Sequence, residues 1–163
     1  MKARHTAYLS TGSNIGDRRA HLLAARREIA RRIGPVTAAS GLYRTAAWGV
    51  EDQPDFLNQV LRVTTALEPL ALLDRLQAIE QRMGRVRAER WGVRVIDIDI
   101  LFYDDLVLDS ERLTLPHPQI AARRFVLIPL REIAPDLEHP VFHQRITELA
   151  AATTDERPVE LLP

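Results

Sequence analysis

Apolar positions recur along the chain at two spacings, one helical and one alternating. Leu22, Ala25, Ile29 and Ile33 fall at helical spacing and predict an amphipathic helix. Asn14 or Asp17 can cap that helix, and Gly34-Pro35 stops it. Leu72, Leu73, Leu76, Ile79 and Met83 form a second stripe after Pro69, a favoured first helical residue, and Gly84 ends it. Residues 6–11 predict a short strand that runs into the turn-rich Gly12-Ser13-Asn14-Ile15-Gly16-Asp17. Residues 36–45 and 56–65 predict the next strands, with a loop over 46–55 between them. Residues 95–103 are the clearest strand, with Asp104-Asp105 as a turn and 106–108 as a short partner. Leu115-Pro116-His117-Pro118 reads as stiff loop. Residues 122–133 read as a helix blemished by Pro129, and 141–152 hold a last helix. The polar tail after about residue 153 is expected to be loose.

This order of elements predicts an α+β fold, a ferredoxin-like α/β sandwich with a mainly antiparallel central sheet flanked by helices. No repeat, low-complexity tract or linker divides the chain, so residues 1–163 read as a single domain.

Composition narrows the chemistry. The chain has no cysteine, which excludes disulfides, thiolate metal sites and a cysteine nucleophile. Lys2 is the only lysine, so the other 21 of the 22 basic residues are arginines. Lys2 lies at a terminus, which argues against a P-loop or Schiff-base lysine, so any phosphate is expected to be held by arginine forks. Basic and acidic residues balance at 22 each, against the basic excess of a nucleic-acid binder. No apolar run is long enough to span a bilayer, and residues 7–15 are too polar for a secretory leader. The expectation is a cytoplasmic protein without nucleic-acid or membrane partners, acting as a monomer.

Val95-Ile96-Asp97-Ile98-Asp99-Ile100-Leu101-Phe102 is the most informative stretch. Alternation sends Ile96, Ile98, Ile100 and Phe102 to one face and Asp97 and Asp99 to the other, their Cβ atoms roughly 6.6 Å apart. Two neighbouring carboxylates repel and need a cation. A pair of Mg²⁺ ions suits the gap and the hard oxygen donors; a solvated strand face or neutralisation by arginines are the other readings. Arg85, Arg87, Arg90 and Arg94 precede the strand, with Glu89 and Trp91 among them. They form either a solvated basic loop or, beside metal-holding carboxylates, a site for a nucleotide polyphosphate. Phe56 and Asn58 share a strand face and can hold a flat heterocycle, with Phe125 a second ring; both phenylalanines equally suit a core. His117, between two prolines, is displayed toward a phosphate or ribose oxygen or toward its own backbone. His5, His21, His139 and His143 lack ligand spacing and read as surface.

Taken together, these segments resemble the 6-hydroxymethyl-7,8-dihydropterin pyrophosphokinases of folate biosynthesis. The match runs through Gly12-Ser13-Asn14-Ile15-Gly16-Asp17, Tyr43-Arg44-Thr45 and Asp52-Gln53-Pro54-Asp55-Phe56-Leu57-Asn58. It continues through Glu80, Gly84-Arg85-Val86-Arg87, Glu89-Arg90-Trp91-Gly92 and Arg94-Val95-Ile96-Asp97-Ile98-Asp99-Ile100. It ends with Leu115-Pro116-His117-Pro118 and Arg123-Arg124-Phe125-Val126-Leu127, within about residues 8–136.

The resemblance implies transfer of a pyrophosphoryl group from ATP to the pterin hydroxymethyl group, with release of AMP. It implies that Asp97 and Asp99 bind two Mg²⁺ ions, that Phe56 and Phe125 sandwich the pterin, and that Asn58 and Thr45 read its polar edge. Arg85 and Arg94 would contact phosphates. Arg87 and Trp91 would lie on a loop that closes over both substrates. Gln77, Glu80, Ile100, Arg112, Thr114, His117 and Arg123 would line the ATP side. Ala46-Ala47 and Val93 stand where the family often has proline, so loop closure is less preorganised here. A nucleotidyltransferase would place its Gly-Ser turn about a dozen residues from its Asp-x-Asp pair, whereas Gly12 and Asp97 lie far apart. A sheet that binds RNA would need a basic face.

Overall fold

The computed structural model describes residues 3–46, 54–84 and 95–163. Strand β1 (His5–Ser13) lies between β4 (Phe56–Thr65) and β5 (Asp97–Tyr103), antiparallel to both. On its other side β4 pairs with β2 (Val36–Ala39) and β3 (Tyr43–Thr45), and β8 (Val159–Leu161) pairs with β3. β6 (Leu108–Asp109) and β7 (Thr114–Leu115) form a separate small hairpin. Helices α1 (Arg18–Arg32) and α2 (Pro69–Arg82) bury one face of the sheet, while α3 (Arg124–Ile133) and α4 (Ile146–Ala152) pack on the other. This is the ferredoxin-like α/β arrangement that the order of elements predicts, with a mainly antiparallel sheet.

The local causes are legible. The Asp17 carboxylate accepts from the Ala20 N–H at 3.1 Å and caps α1. Gly34 ends it against β4: a Cβ there would lie 1.9 Å from the Thr64 carbonyl oxygen, so only glycine allows the close approach. Pro69 opens α2, where its missing N–H costs nothing. Alternation along β1 and β4 sends Ala7, Leu9, Leu57, Leu61 and Val63 toward α1 and α2, and Tyr8 and Val60 toward α3 and α4.

Several sequence expectations need correction. β1 runs on to Ser13, because Gly12 keeps ladder partners on both sides, Asn58 and Asp97. Residues 36–45 are two strands rather than one. At the break, Ser40 Oγ accepts from Val60 N and the Gly41 N–H turns to the Glu132 carboxylate. Phe102 does not share a face with Ile98 and Ile100. The β1–β5 register slips between Tyr8 and Leu9, leaving Leu101 unopposed, and this bulge turns Phe102 toward α3. Residues 106–108 do not pair with β5; Leu108 instead opposes Leu115 in the hairpin.

The third helix starts at Arg124, after a 3-10 turn over Ile120–Ala122, and Pro129 is buried inside it. The last helix starts only at Ile146. Part of the chain before it wraps His139, whose Nδ1 accepts from the Val141 and Phe142 N–H groups. His139 is therefore buried, not a surface residue. His5 and His21 are half-buried: His5 stacks on Tyr103, and His21 bonds Ser13. The tail is not loose, since Val159, Glu160 and Leu161 add a strand beside Thr45, Arg44 and Tyr43.

Candidate active site

The α3 face of the sheet is covered over only part of its length. Tyr8, Val60, Leu101 and Phe102 lie beneath α3 and α4. At the other end of the same face stand Phe56 and Asn58 on β4, Gly12 on β1, and Asp97 and Asp99 on β5. Register decides this grouping. Gly12 opposes Asn58 on one side and Asp97 on the other, and Ser10 opposes Asp99. Directly opposed residues share a face, so an amide and two carboxylates from separate parts of the chain meet along one open end. Asp97 is half-buried and Asp99 exposed.

Gly12 makes the row possible. A Cβ at this position would lie 2.8 Å from Asn58 Oδ1 and 3.4 Å from the Phe56 ring. Asn58 is buried, and its Nδ2 donates to Thr45 Oγ1 at 2.7 Å, which orients the amide and directs Oδ1 over Gly12. Thr45 pairs with Phe56 on one side and with Val159 on the other. Phe125, in the first turn of α3, is half-buried and lines a shallow depression with Thr45, Asp155 and Arg157. The Arg123 guanidinium lies over the Phe125 ring, 5.7 Å from its centroid.

Arg123 and His117 meet the carboxylate pair electrostatically. Burial pushes the pKa of Arg123 down, opposed by Asp99, reinforced by Arg157, and opposed again by Asp97. Burial likewise lowers His117, with Asp99 opposing and Arg123 reinforcing the shift. His117 Nδ1 accepts from the Gln119 N–H at 3.1 Å, which puts the proton of the neutral ring on Nε2. The His117 N–H itself donates to the Leu101 carbonyl at 2.9 Å on the outer edge of β5. The imidazole is anchored by its backbone and by Nδ1, so it is less freely displayed than its two prolines suggest.

The residues assigned by resemblance to the ATP side divide in structural character. Glu80 is buried, and its carboxylate accepts from the Ile98 N–H at 3.0 Å, fixing the start of β5. The Ile100 side chain is buried under α1 and α2, so its backbone is the part that could meet a ligand. Arg112 is exposed and paired with Asp74 of α2 at 2.5 Å. Gln77 on α2 and Thr114 on β7 are half-buried. Arg85, Arg87, Trp91 and Arg94 lie outside the described residues.

Gly12, Asp155 and Arg157 are site-lining residues that sequence reasoning missed. Gly12 looked like turn chemistry; an alternating pattern carried one step further, to Ser13, would have put it in a strand. Nothing around Asp155 and Arg157 signals a site.

The donor set suits a hard divalent cation. Two carboxylates share the open face, and no cluster of three or more His, Cys, Asp or Glu occurs among the described residues. Such a pair leaves the remaining positions of an octahedral ion to water and phosphate oxygens, the usual Mg²⁺ arrangement.

A model of the family described as 7,8-dihydro-6-hydroxymethylpterin-pyrophosphokinase (HPPK) matches residues 8–135. A Haemophilus influenzae protein, 2-amino-4-hydroxy-6-hydroxymethyldihydropteridine pyrophosphokinase, is 43% identical over 159 residues, covering 97% of this chain and 99% of the relative. The protein of the same name from Methylorubrum extorquens is 51% identical over 132 residues, covering 80% and 84%. Among solved structures, the wild-type Plasmodium falciparum HPPK-DHPS with pteroate superimposes with a TM-score of 0.74 at 18% identity. That match covers 93% of this chain but 42% of the larger protein, and at this identity it speaks for the fold alone.

Proposed function

Because the chain belongs to the 7,8-dihydro-6-hydroxymethylpterin-pyrophosphokinase family, we infer that it transfers a pyrophosphoryl group from ATP to the hydroxymethyl group of 6-hydroxymethyl-7,8-dihydropterin. The reaction is a step of folate synthesis, and ATP is the co-substrate. The alcohol oxygen forms a bond to the β-phosphorus, the bond from that phosphorus to the α–β bridging oxygen breaks, AMP departs, and the alcohol proton is lost. The observation that carries the site assignment is the row Asn58–Gly12–Asp97, with Asp99 beside it on the same open face.

In this reading Phe56 and Phe125 sandwich the pterin, while Asn58 Oδ1 and Thr45 read its polar edge. The Thr45 hydroxyl holds the Asn58 amide in one orientation, so the ring is recognised by a preset acceptor rather than a rotating one. Asp97 and Asp99 hold Mg²⁺, two ions in the proposed arrangement, which supplies charge neutralisation on the ATP phosphates. His117 offers Nε2–H to a phosphate or ribose oxygen from a ring fixed at Nδ1. Arg123, over the Phe125 ring and within the electrostatic reach of Asp99 and Asp97, offers a cation for the negative charge that accumulates during transfer.

By resemblance, Arg85 and Arg94 contact phosphates, and Arg87 and Trp91 belong to the segment that closes over both substrates. Gln77, Arg112 and Thr114 line the ATP side. Glu80 contributes indirectly by fixing β5, and Ile100 contributes through its backbone.

Incubation of the protein with ATP, Mg²⁺ and 6-hydroxymethyl-7,8-dihydropterin tests the reading. AMP and the pterin diphosphate are the expected products. ADP would make it a simple kinase, and turnover undiminished in excess EDTA would remove the metal from the proposal.

A further inference from the structure

The C-terminal segment joins the two sides of the depression, and none of the motifs in the sequence points to it. On the sheet side, Val159 pairs with Thr45 and Leu161 with Tyr43. The Leu162 N–H donates to the Leu42 carbonyl at 2.9 Å, so the strand is anchored at its far end as well. On the helix side, Asp155 reaches α3. Its side chain is only 6% exposed, and Oδ2 accepts from the Arg124 N–H at 2.9 Å, in the first turn and directly before Phe125. Oδ1 accepts from the Arg157 N–H at 3.2 Å and from Arg157 Nε at 2.8 Å.

A carboxylate this buried is costly unless its oxygens are satisfied, and here backbone and guanidinium donors satisfy both. Arg124 opens α3 with an N–H that has no partner within the helix, and Asp155 supplies one from the other end of the domain's chain.

We propose that Asp155 is a positioning residue for pterin binding. By tying the first turn of α3 to the strand beside Thr45, it sets the separation between the Phe125 ring and the Thr45–Asn58 edge. Arg157 locks the carboxylate in the orientation that reaches Arg124. The substrate-facing residues are Phe125, Thr45 and Asn58; Asp155 acts through them. The inference rests on the proposed pterin site, and the role it assigns is one of geometry, not of contact with substrate.

The test is binding of 6-hydroxymethylpterin, followed by its own fluorescence, and of MgATP by calorimetry, for the wild type and for Asp155→Ala, Asp155→Asn and Phe125→Ala. Loss of a charge-assisted hydrogen bond at this point is expected to weaken pterin binding about tenfold in Asp155→Ala. The MgATP affinity should change less than the pterin affinity, within about twofold, since Arg123 is, among the described residues, the one proposed ATP-side residue that adjoins this contact. Asp155→Asn keeps an oxygen acceptor but loses the charge, so a smaller selective loss of pterin affinity, about threefold, is expected.

If Phe125→Ala weakens pterin binding and Asp155→Ala does not, the positioning role is wrong while the pterin site stands. If both ligands weaken together in step with the melting temperature, Asp155 is merely structural and the proposal is overturned. If Phe125→Ala leaves pterin binding unchanged, the pterin site and the positioning role fall together. Should Asp155→Ala not fold, Asp155→Asn still decides: a selective loss for pterin supports the role, and equal affinities for both ligands against wild type overturn it.

Discussion

The two faces of the sheet carry comparable strand patterns and have different fates. On the α1–α2 face, Leu9, Leu57, Leu61, Ile98 and Ile100 are all buried beneath helices along the strands. On the α3 face, helices seal Tyr8, Val60 and Phe102 but leave Phe56, Asn58, Asp97 and Asp99 at an open end. The same three central strands contribute to both faces, so the difference is one of cover. A ten-residue helix, Arg124–Ile133, is too short to cap every ladder position. Among the described residues, the positions beyond its reach carry a buried amide, a half-buried ring, a half-buried carboxylate and an exposed one. One face supports a rigid platform, and the part of the other that the helices do not reach is where the chemistry is proposed to occur.

This contrast can be broken most sharply at Asp97 and Asp99. Alanine at either is expected to lower kcat by on the order of 10²–10³-fold, with melting temperature and pterin affinity largely kept. Steady-state rates alongside fluorescence titration check it, and normal turnover in both variants would defeat the carboxylate assignment. On the sealed face the opposite signature is expected. Leu61 is fully buried, and Leu61→Ala should cost about 2–5 kcal/mol in denaturant unfolding. The folded fraction of that variant should retain near-normal KM values for both substrates.

Gly12 sits where the two behaviours meet, because it belongs to the ladder yet borders the open end. Gly12→Ala places a methyl 2.8 Å from Asn58 Oδ1 and forces the amide off its Thr45 hydrogen bond. The KM for pterin should rise by roughly tenfold, with a smaller change in stability, since an ordinary side-chain hydrogen bond is worth about 1 kcal/mol.

The smallest effect is expected under α4, well inside the covered half. Burial, reinforced by His143, holds the pKa of His139 below its ordinary value of 6.5. The unfolded chain therefore binds the proton more readily, and stability falls as pH drops through and below that value. Thermal unfolding between pH 7.5 and 5 should show this slope, and His139→Asn, which keeps an acceptor but cannot titrate, should flatten it. An unchanged slope would take His139 out of the acid response.

Part of this outcome could be read from residue order. The helical stripes of α1 and α2 sit where the spacing of Leu22, Ala25 and Ile29, and of Leu72, Leu76 and Ile79, puts them, because helix periodicity is a local property. β4 matched its alternation over its full length. Phe102 failed because one bulge inverts every later position on a strand, and a bulge is a property of the pairing rather than of either strand alone. Residues 36–45 failed because the break at Ser40-Gly41 depends on Glu132, far along the chain.

For the candidate site, the Asp97/Asp99 pair, Phe56 with Asn58, and His117 between its prolines were each visible as short-range patterns, while Arg123 came only with the family resemblance. Those patterns admitted hard-cation, ring and phosphate recognition beside a solvated strand face and core phenylalanines, and the family resemblance chose between them. What brought them onto one surface was the register: Gly12 between Asn58 and Asp97, the length of α3, and a tail strand that returns to Thr45 while Asp155 reaches the first turn of α3. Those relations join residues tens of positions apart. No window of sequence contains both partners, so chain order determined the components and three-dimensional pairing decided how they are assembled.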